Sequence, residues 1–303
     1  GVPMDKIGYL FSGQGDQFPG MGQELCQISP AAKEVFALCD SLRPGTSQQC
    51  FSGTEQELRQ TQNTQPCLFA VELAAFRALE EAGAPQPDGV AGFSLGEVVA
   101  ATVGGLFDRE TGFRLVCRRG ALMQQAAEQF DTAMAAVVKL SPEQVQQLCS
   151  KYPQVYPVNY NCPGQITVSG LSTQMQEFSA DVKAAGGRAL PLKVKAAFHS
   201  PFMQEAADAF ARELENAELR ETTAVLYSNV TAQPYPEHAR ALLSRQICSP
   251  VQWEQTIRNM IAGGVDTFVE IGPGKTLTNM VRKIDAAVSA RSYSDYLTEV
   301  GVC

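Results

Sequence analysis

The segment Gly92-Phe93-Ser94-Leu95-Gly96 sets a serine between two glycines, where a short apolar run meets a second apolar stretch. On a tight strand-to-helix turn this spacing holds the hydroxyl clear of the backbone, and the glycines relieve crowding around it. A helix beginning at Leu95 would aim unsatisfied N–H groups at any oxyanion formed beside Ser94. The chemistry implied is nucleophilic acyl transfer. An ordinary glycine-rich turn is the competing description.

A serine nucleophile needs a base, and the chain has two histidines. His238 follows Tyr235-Pro236-Glu237, a polar turn, and reads as an exposed loop residue. His199 lies in Ala197-Phe198-His199-Ser200-Pro201, where an inserted segment returns to the main fold. Clefts form at such junctions. His199 is therefore either the base or a cap for the helix that follows.

Arg118 and Arg119 adjoin on a predicted helix, so they point roughly 100° apart and do not share a role. Leu115, Arg119, Leu122, Met123 and Ala126 fall on one face by three-and-four spacing, which puts Arg119 on the apolar stripe. A buried guanidinium requires an anionic partner, because an unpaired one is strongly destabilising. Either an internal Asp or Glu or a substrate carboxylate fills that role. Gly272-Pro273-Gly274-Lys275-Thr276 superficially suggests a phosphate loop, but position 269 is Val269 where G-x-x-x-x-G-K-[ST] needs glycine. It is better described as a strand-to-helix turn with at most a secondary role in binding.

The elements that must position these residues follow from hydrophobic periodicity. Residues 7–11 are a short apolar strand closed by Ser12-Gly13-Gln14-Gly15. Helices are predicted near 30–41 and over 66–82, joined by a Gln/Thr-rich connector. Val90 and Ala91 end a strand that turns at Ser94 directly into a helix running to about Gly104. From 132 to 192 the grain changes: strand 133–139, helix 142–150, strands 155–160 and 166–169, an N-capped helix 172–185 and strand 188–192. That order is βαββαβ, the ferredoxin-like unit. The remainder returns to α/β character, with a helix over 201–217, a strand 225–228, a helix 253–262 and a strand 267–271. The predicted fold is thus an α/β, hydrolase-like core with a central, mainly parallel sheet, formed by 1–131 and 193–303, with an inserted ferredoxin-like subdomain at 132–192.

Composition bounds the class of function. The 303 residues suffice for a buried core, and 45% apolar with 18% charged residues is ordinary globular usage. A net charge of −8 weighs against nucleic acid as a partner. The nine cysteines include no C-x-x-C pair, which indicates reduced thiols and no metal site. No apolar run approaches the roughly 18 residues needed to cross a bilayer, and no signal peptide precedes the first strand. A cytoplasmic protein with no membrane partner is expected, and Gly1 to Pro3 ahead of Met4 resemble a cloning scar.

Taken together, the chain resembles the malonyl-CoA:acyl carrier protein transacylases of fatty-acid synthesis and the related acyltransferase domains of polyketide synthases. The resemblance runs from Ile7 to about Ile284 and rests on eight landmarks in the family's order. These are Gly13-Gln14-Gly15, Thr64-Gln65-Pro66, Gly92-Phe93-Ser94-Leu95-Gly96-Glu97, Arg119-Gly120, residues 161–165, Ala197-Phe198-His199, Pro250-Val251-Gln252-Trp253 and Glu270-Ile271-Gly272-Pro273-Gly274.

The resemblance implies that Ser94 is the nucleophile and His199 the base, with a backbone carbonyl near Gln252 in place of an acidic triad member. It further implies that Gln14 and Leu95 supply oxyanion-hole N–H groups. Arg119 would bind the free malonyl carboxylate, and Gln14, Phe198, Asn161 and Gln252 would contact substrate. It implies coenzyme A thioester and acyl carrier protein as partners and no cofactor, and a monomer is the default. Two departures bear on selectivity. Phe93 stands where the family usually has histidine, while Phe198 and Leu95 resemble the malonyl-selecting pattern more than the methylmalonyl one. Because any carrier protein of this kind is acidic, as this chain is, docking demands a local basic patch. Arg188, Lys193 and Lys195 form one candidate group, and Lys275, Arg282 and Lys283 another. Two other functions use the same residues differently: a thioester hydrolase with the same Ser94 and His199, or a non-catalytic docking module of a synthase.

Overall fold

In the computed structural model, which describes residues 5–301, nine strands are numbered in chain order. They are β1 (Lys6–Phe11), β2 (Gly89–Gly92), β3 (Thr132–Val138), β4 (Val155–Cys162), β5 (Gln165–Leu171), β6 (Arg188–Pro191), β7 (Val225–Leu226), β8 (Val265–Ile271) and β9 (Ser289–Ser292). The tripeptide ahead of Met4, and Cys303, lie outside the described residues.

The first sheet has the order β7-β2-β1-β8-β9, and every adjoining pair is parallel. Parallel strands need covered faces, and the alternation along β1 shows how they are covered. Tyr9 and Phe11 enter a core shared with the helices Thr61–Glu81, Gly96–Val103 and Arg109–Glu128, while Leu10 enters a second core shared with Trp253–Ala262 and Thr276–Ile284. The result is a sheet between two layers of helix. The chain adds β2 and then β7 on one side of β1 before it crosses to add β8 and β9 on the other, so a crevice opens beyond the carboxyl ends of these strands.

The second sheet, β4-β5-β3-β6, is antiparallel throughout and lies between residues 132 and 191. Its connectivity, with helices Pro142–Cys149 and Ser172–Ala184, is the expected βαββαβ order. Ala135, Val137, Ile166 and Val168 meet those helices in a separate small core. The alternate positions Ala136 and Thr167, with Asn159 and Asn161, face a cavity toward the first sheet. The period-two pattern therefore gives this sheet one apolar face and one polar face. The antiparallel sheet is tied to the segment ahead of the helix Trp253–Ala262, where Val251 N–H donates to Val158 O (2.8 Å) and Tyr160 N–H to Val251 O (2.9 Å).

Several local details depart from the sequence reading. The Gln/Thr-rich connector contains helices Thr46–Ser52 and Glu55–Arg59, and the next helix starts at Thr61, so Pro66 sits inside it. Ser172 does not cap its helix: Leu171 is at the cap, and the Ser172 hydroxyl donates to Asp131 Oδ1 (2.8 Å). Residues 201–217 divide into a short 3₁₀ turn, Pro201–Met203, and the helix Gln204–Glu215.

Candidate active site

Phe11 of β1 pairs with Gly92 of β2 and Ile271 of β8, so the carboxyl ends of the three strands are level. The chain leaves β2 through Phe93 and Ser94, and the helix Gly96–Val103 begins two residues later. Ser94 has φ 56°, a conformation that L residues seldom adopt and that persists only where the surroundings impose it. Its N–H donates to Asn229 Oδ1 at 2.9 Å, and Glu97 N–H donates to Ser94 O at 3.1 Å. The flanking glycines are required by close approach. A Cβ on Gly92 would lie 1.8 Å from the Gly96 carbonyl carbon, and one on Gly96 would lie 2.1 Å from Phe11 O.

Although 105 residues separate them, His199 Nε2 lies 2.8 Å from Ser94 Oγ. His199 Nδ1 lies 2.8 Å from the backbone oxygen of Gln246. A carbonyl can only accept, so Nδ1 carries the proton and Nε2 presents its lone pair to the serine hydroxyl. Burial, reinforced by the nearby Arg119 charge, lowers the His199 imidazole to about 4. It is therefore neutral, and able to take a proton, at physiological pH.

The carbonyl acceptor is that of Gln246, not one near Gln252 as the resemblance implied. Gln252 is otherwise engaged: its carbonyl accepts from Thr256 N–H (3.0 Å) and Thr256 Oγ1 (2.6 Å) to start the helix Trp253–Ala262, and its N–H donates to Asn229 O (2.9 Å).

Arg119 occupies the apolar stripe of the helix Arg109–Glu128, as its spacing predicts, and is wholly buried. Its neighbour Arg118 points elsewhere and pairs with Glu213 (2.9 Å). The Arg119 guanidinium donates to Gln65 Oε1 (2.9 Å), Gln246 Oε1 (2.6 Å) and Ser94 Oγ (3.3 Å), and its Nε has no partner. Two neutral carboxamides and a hydroxyl thus hold a desolvated cation, and Glu97, when ionised, offsets part of its charge without a direct ion pair. Burial lowers its pKa to about 10, so it stays charged at neutral pH. The internal-carboxylate alternative finds no contact here, and the incomplete shell is suited to receiving an anion.

Neither the Gln14 nor the Leu95 N–H makes a hydrogen bond among the described residues. The Gln14 side chain bonds weakly to Arg59 O (3.4 Å) and Thr61 Oγ1 (3.5 Å) and borders a cavity of about 230 Å³. That cavity runs from the loop after β1, past Phe93, to Asn159 and Asn161 of the antiparallel sheet, Leu192 just beyond its last strand and Thr276 of the helix Thr276–Ile284. Asn159 and Asn161 line it, and their side-chain oxygens are buried without partners. Phe93 packs on Trp253, with ring centroids 5.3 Å apart, in the position where the resemblance expected histidine. Leu95 and Phe198 are buried in the core beside the parallel sheet. His238 is exposed, as its polar turn suggests. Thr276 of the glycine-rich turn donates to Asp16 Oδ1 (2.7 Å).

The sequence reading assigns no role to Gln65, Asn229 or Gln246, yet the Gln65 and Gln246 carboxamides meet Arg119, the Asn229 carboxamide meets Ser94 and the Gln246 backbone carbonyl meets His199. Gln65 stands in the landmark Thr64-Gln65-Pro66 without a role of its own, and no local pattern marks Asn229 or Gln246, since each bond spans at least 47 residues of chain. No group of potential metal ligands occurs among the described residues, and none of their helices is long and apolar enough to cross a membrane.

Comparison with known proteins adds an independent line. The sequence profile of a family described as acyl transferase domain matches residues 8–294. A Bacillus subtilis protein named malonyl CoA-acyl carrier protein transacylase is 37% identical over 300 residues, covering 96% of this chain and 94% of that protein. The crystal structure of the protein of that name from Clostridium perfringens superposes with a TM-score of 0.92 at 35% identity, covering 97% of each chain. A malonyl-transacylase in complex with its type II PKS acyl-carrier protein superposes with a TM-score of 0.92 at 34% identity, covering 95% of this chain and 96% of that one.

Proposed function

Because this chain belongs to the acyl transferase domain family, we infer that it moves a malonyl group from coenzyme A to the phosphopantetheine thiol of an acyl carrier protein, as an acyl-carrier-protein S-malonyltransferase. The observation that carries its chemistry is the convergence of His199 Nε2 (2.8 Å) and the Arg119 guanidinium (3.3 Å) on one serine oxygen.

Ser94 Oγ attacks the malonyl thioester carbonyl while His199 Nε2 takes the hydroxyl proton. The Gln246 carbonyl steadies the imidazolium through Nδ1–H, the part an acidic residue plays in a triad. The oxyanion is received by the Gln14 and Leu95 N–H groups, which have no other acceptor among the described residues. As the C–S bond breaks, His199 returns the proton to the departing sulfur, and coenzyme A leaves as a thiol. In the malonyl-serine ester, Oγ is a poor acceptor, and the malonyl carboxylate takes the Arg119 donors. The carrier-protein thiol then gives its proton to His199 and attacks the ester, and collapse returns Ser94 with its hydrogen.

Thiol is exchanged for thiol at constant oxidation state, so the reaction uses no metal, nucleotide or redox cofactor. We read the chain as a monomer of the cytoplasm, a compartment that the unpaired cysteines among the described residues suit. Residues 132–192 act as an inserted subdomain whose polar face, with Asn161 and Asn159, lines the cavity that takes the pantetheine arm.

The transfer reading is tested by incubating the chain with malonyl-CoA and holo carrier protein. Malonyl-carrier protein is expected as the main product. Free malonate as the main product would instead identify a hydrolase.

Docking is assigned to the cavity mouth. Lys193 and Lys275 are exposed and adjoin the lining residues Leu192 and Thr276, so they flank the entry for an acidic partner. Reversing either charge, as Lys193→Glu or Lys275→Glu, is expected to raise KM for the carrier protein on the order of 3–10-fold, more at low salt, while loading from malonyl-CoA is unaffected. An unchanged KM for both variants would retire this docking surface.

A further inference from the structure

Beneath the Ser94 turn lies a cluster that the steps above do not use. Glu97 is wholly buried, and its carboxylate accepts two hydrogen bonds, from Asn229 N–H to Oε1 (2.5 Å) and from Tyr235 O–H to Oε2 (2.5 Å). A carboxyl group withdrawn from water is tolerated only when such partners satisfy it. Asn229 is engaged at every polar group. Its Nδ2 donates to Gly92 O (2.7 Å), its Oδ1 accepts from Ser94 N–H (2.9 Å) and Gln246 Nε2 (3.2 Å), and its carbonyl accepts from Gln252 N–H (2.9 Å). Gln246 Nε2 also donates to Ser94 O (2.9 Å), while the Gln246 backbone oxygen holds His199 Nδ1. One connected set of bonds therefore runs from Glu97 to the nucleophile's backbone and to the acceptor that sets the tautomer of the base.

We propose that Glu97 is a positioning residue for acyl transfer: it anchors Asn229, and through Asn229 it keeps the Ser94 turn and Gln246 in register with His199. The inference rests on Ser94 and His199 being nucleophile and base. Both sit at positive φ, 56° and 63°, and such conformations need support from outside the residue. For Ser94 that support includes the Asn229 carboxamide, fixed from behind by Glu97. The groups facing Glu97 are Tyr235, Asn229, Arg119 and Gln246, of which Arg119 alone is charged. Burial pushes the Glu97 carboxyl up to about 7, against the lowering effect of those neighbours. The ionised form, able to accept from both donors, therefore grows in as pH rises through neutrality.

The test is single-turnover acylation by malonyl-CoA between pH 6 and 9, with wild type, Glu97→Gln, Tyr235→Phe and Ser94→Ala. Glu97→Gln is expected to lower the acylation rate constant on the order of 30–100-fold, as a small misplacement of reacting groups does, with substrate affinity within about twofold. It should also lose the wild-type rise in rate between pH 6 and 8. Tyr235→Phe is expected to lower the rate constant by about 3–10-fold in the same manner. Ser94→Ala should abolish acylation. If it does not, the reading of the site has failed. If it does, while the folded Glu97→Gln and Tyr235→Phe proteins acylate at the wild-type rate constant, or lose only affinity, the positioning role alone is overturned. Should Glu97→Gln not fold, Tyr235→Phe decides, and an unchanged rate constant again overturns the role.

Discussion

His199→Ala is expected to slow acylation of Ser94 by malonyl-CoA about 10³–10⁴-fold, the range for removing a positioned general base. The loss arises because Nε2, 2.8 Å from Oγ with Nδ1–H held by Gln246, is the one group aimed to take the hydroxyl proton. Its pH dependence is distinctive. Burial holds the imidazole at about 4, so lowering the pH from 8 to 5 leaves it almost entirely neutral. The rise in wild-type rate over that interval should therefore follow Glu97, and the Glu97→Gln rate should stay flat across it. A histidine at its ordinary value near 6.5 would be protonated below that pH, and the Glu97→Gln rate would fall with it. Single-turnover kinetics at several pH values measure this directly. A loss below about tenfold would show that proton transfer does not pass through His199.

Arg119→Ala carries the second large effect. It should lower kcat/KM for malonyl-CoA by ~2–4 kcal/mol, about 30- to 1000-fold, because it truncates a desolvated, charge-assisted contact to the malonyl carboxylate. Acetyl-CoA presents no anion and should lose far less. The ratio of the two specificity constants is the proper readout, since loss of the guanidinium also leaves the Gln65 and Gln246 carboxamide oxygens unsatisfied and costs about 1–3 kcal/mol per group in stability. A reduced folded fraction cancels in that ratio. Arg119→Lys keeps the charge but not the planar fork, and should restore malonyl preference only in part. Equal losses for malonyl and acetyl substrates would make Arg119 a structural residue.

Much of this site could be read before any coordinates, and the physical reason differs from residue to residue. Ser94 announces itself because the turn leaves room only for glycine at 92 and 96, a constraint written into five consecutive positions. Arg119 is found by helical periodicity, which sets a charged residue among Leu115, Leu122 and Met123. The alternating strands of residues 132–192 reveal the ferredoxin-like sheet for the same kind of reason: a local repeat reports which face is buried.

Gln65, Asn229 and Gln246 belong to another class. They act through carboxamides and backbone groups whose partners are distant in the chain, and neither a Gln within a helical turn nor a lone Asn in a loop carries a pattern that names a distant partner. The resemblance accordingly points near Gln252, whose own carbonyl is committed to starting a helix, while the carbonyl that accepts from His199 lies six residues earlier at Gln246. The short helices Thr46–Ser52 and Glu55–Arg59 escaped for a related reason. At about two turns or fewer they have little intrinsic stability, and their packing on the helix Thr61–Glu81 decides their conformation.

The central claim is that the malonyl group rests on the oxygen of Ser94 between the two thiols. Brief mixing with malonyl-CoA, followed by intact-protein mass spectrometry and peptide mapping, addresses it most directly. One malonyl increment is expected, confined to the peptide that contains Ser94, absent from Ser94→Ala and discharged on addition of holo carrier protein. An increment on another residue, or transfer to the carrier protein undiminished in Ser94→Ala, would contradict it.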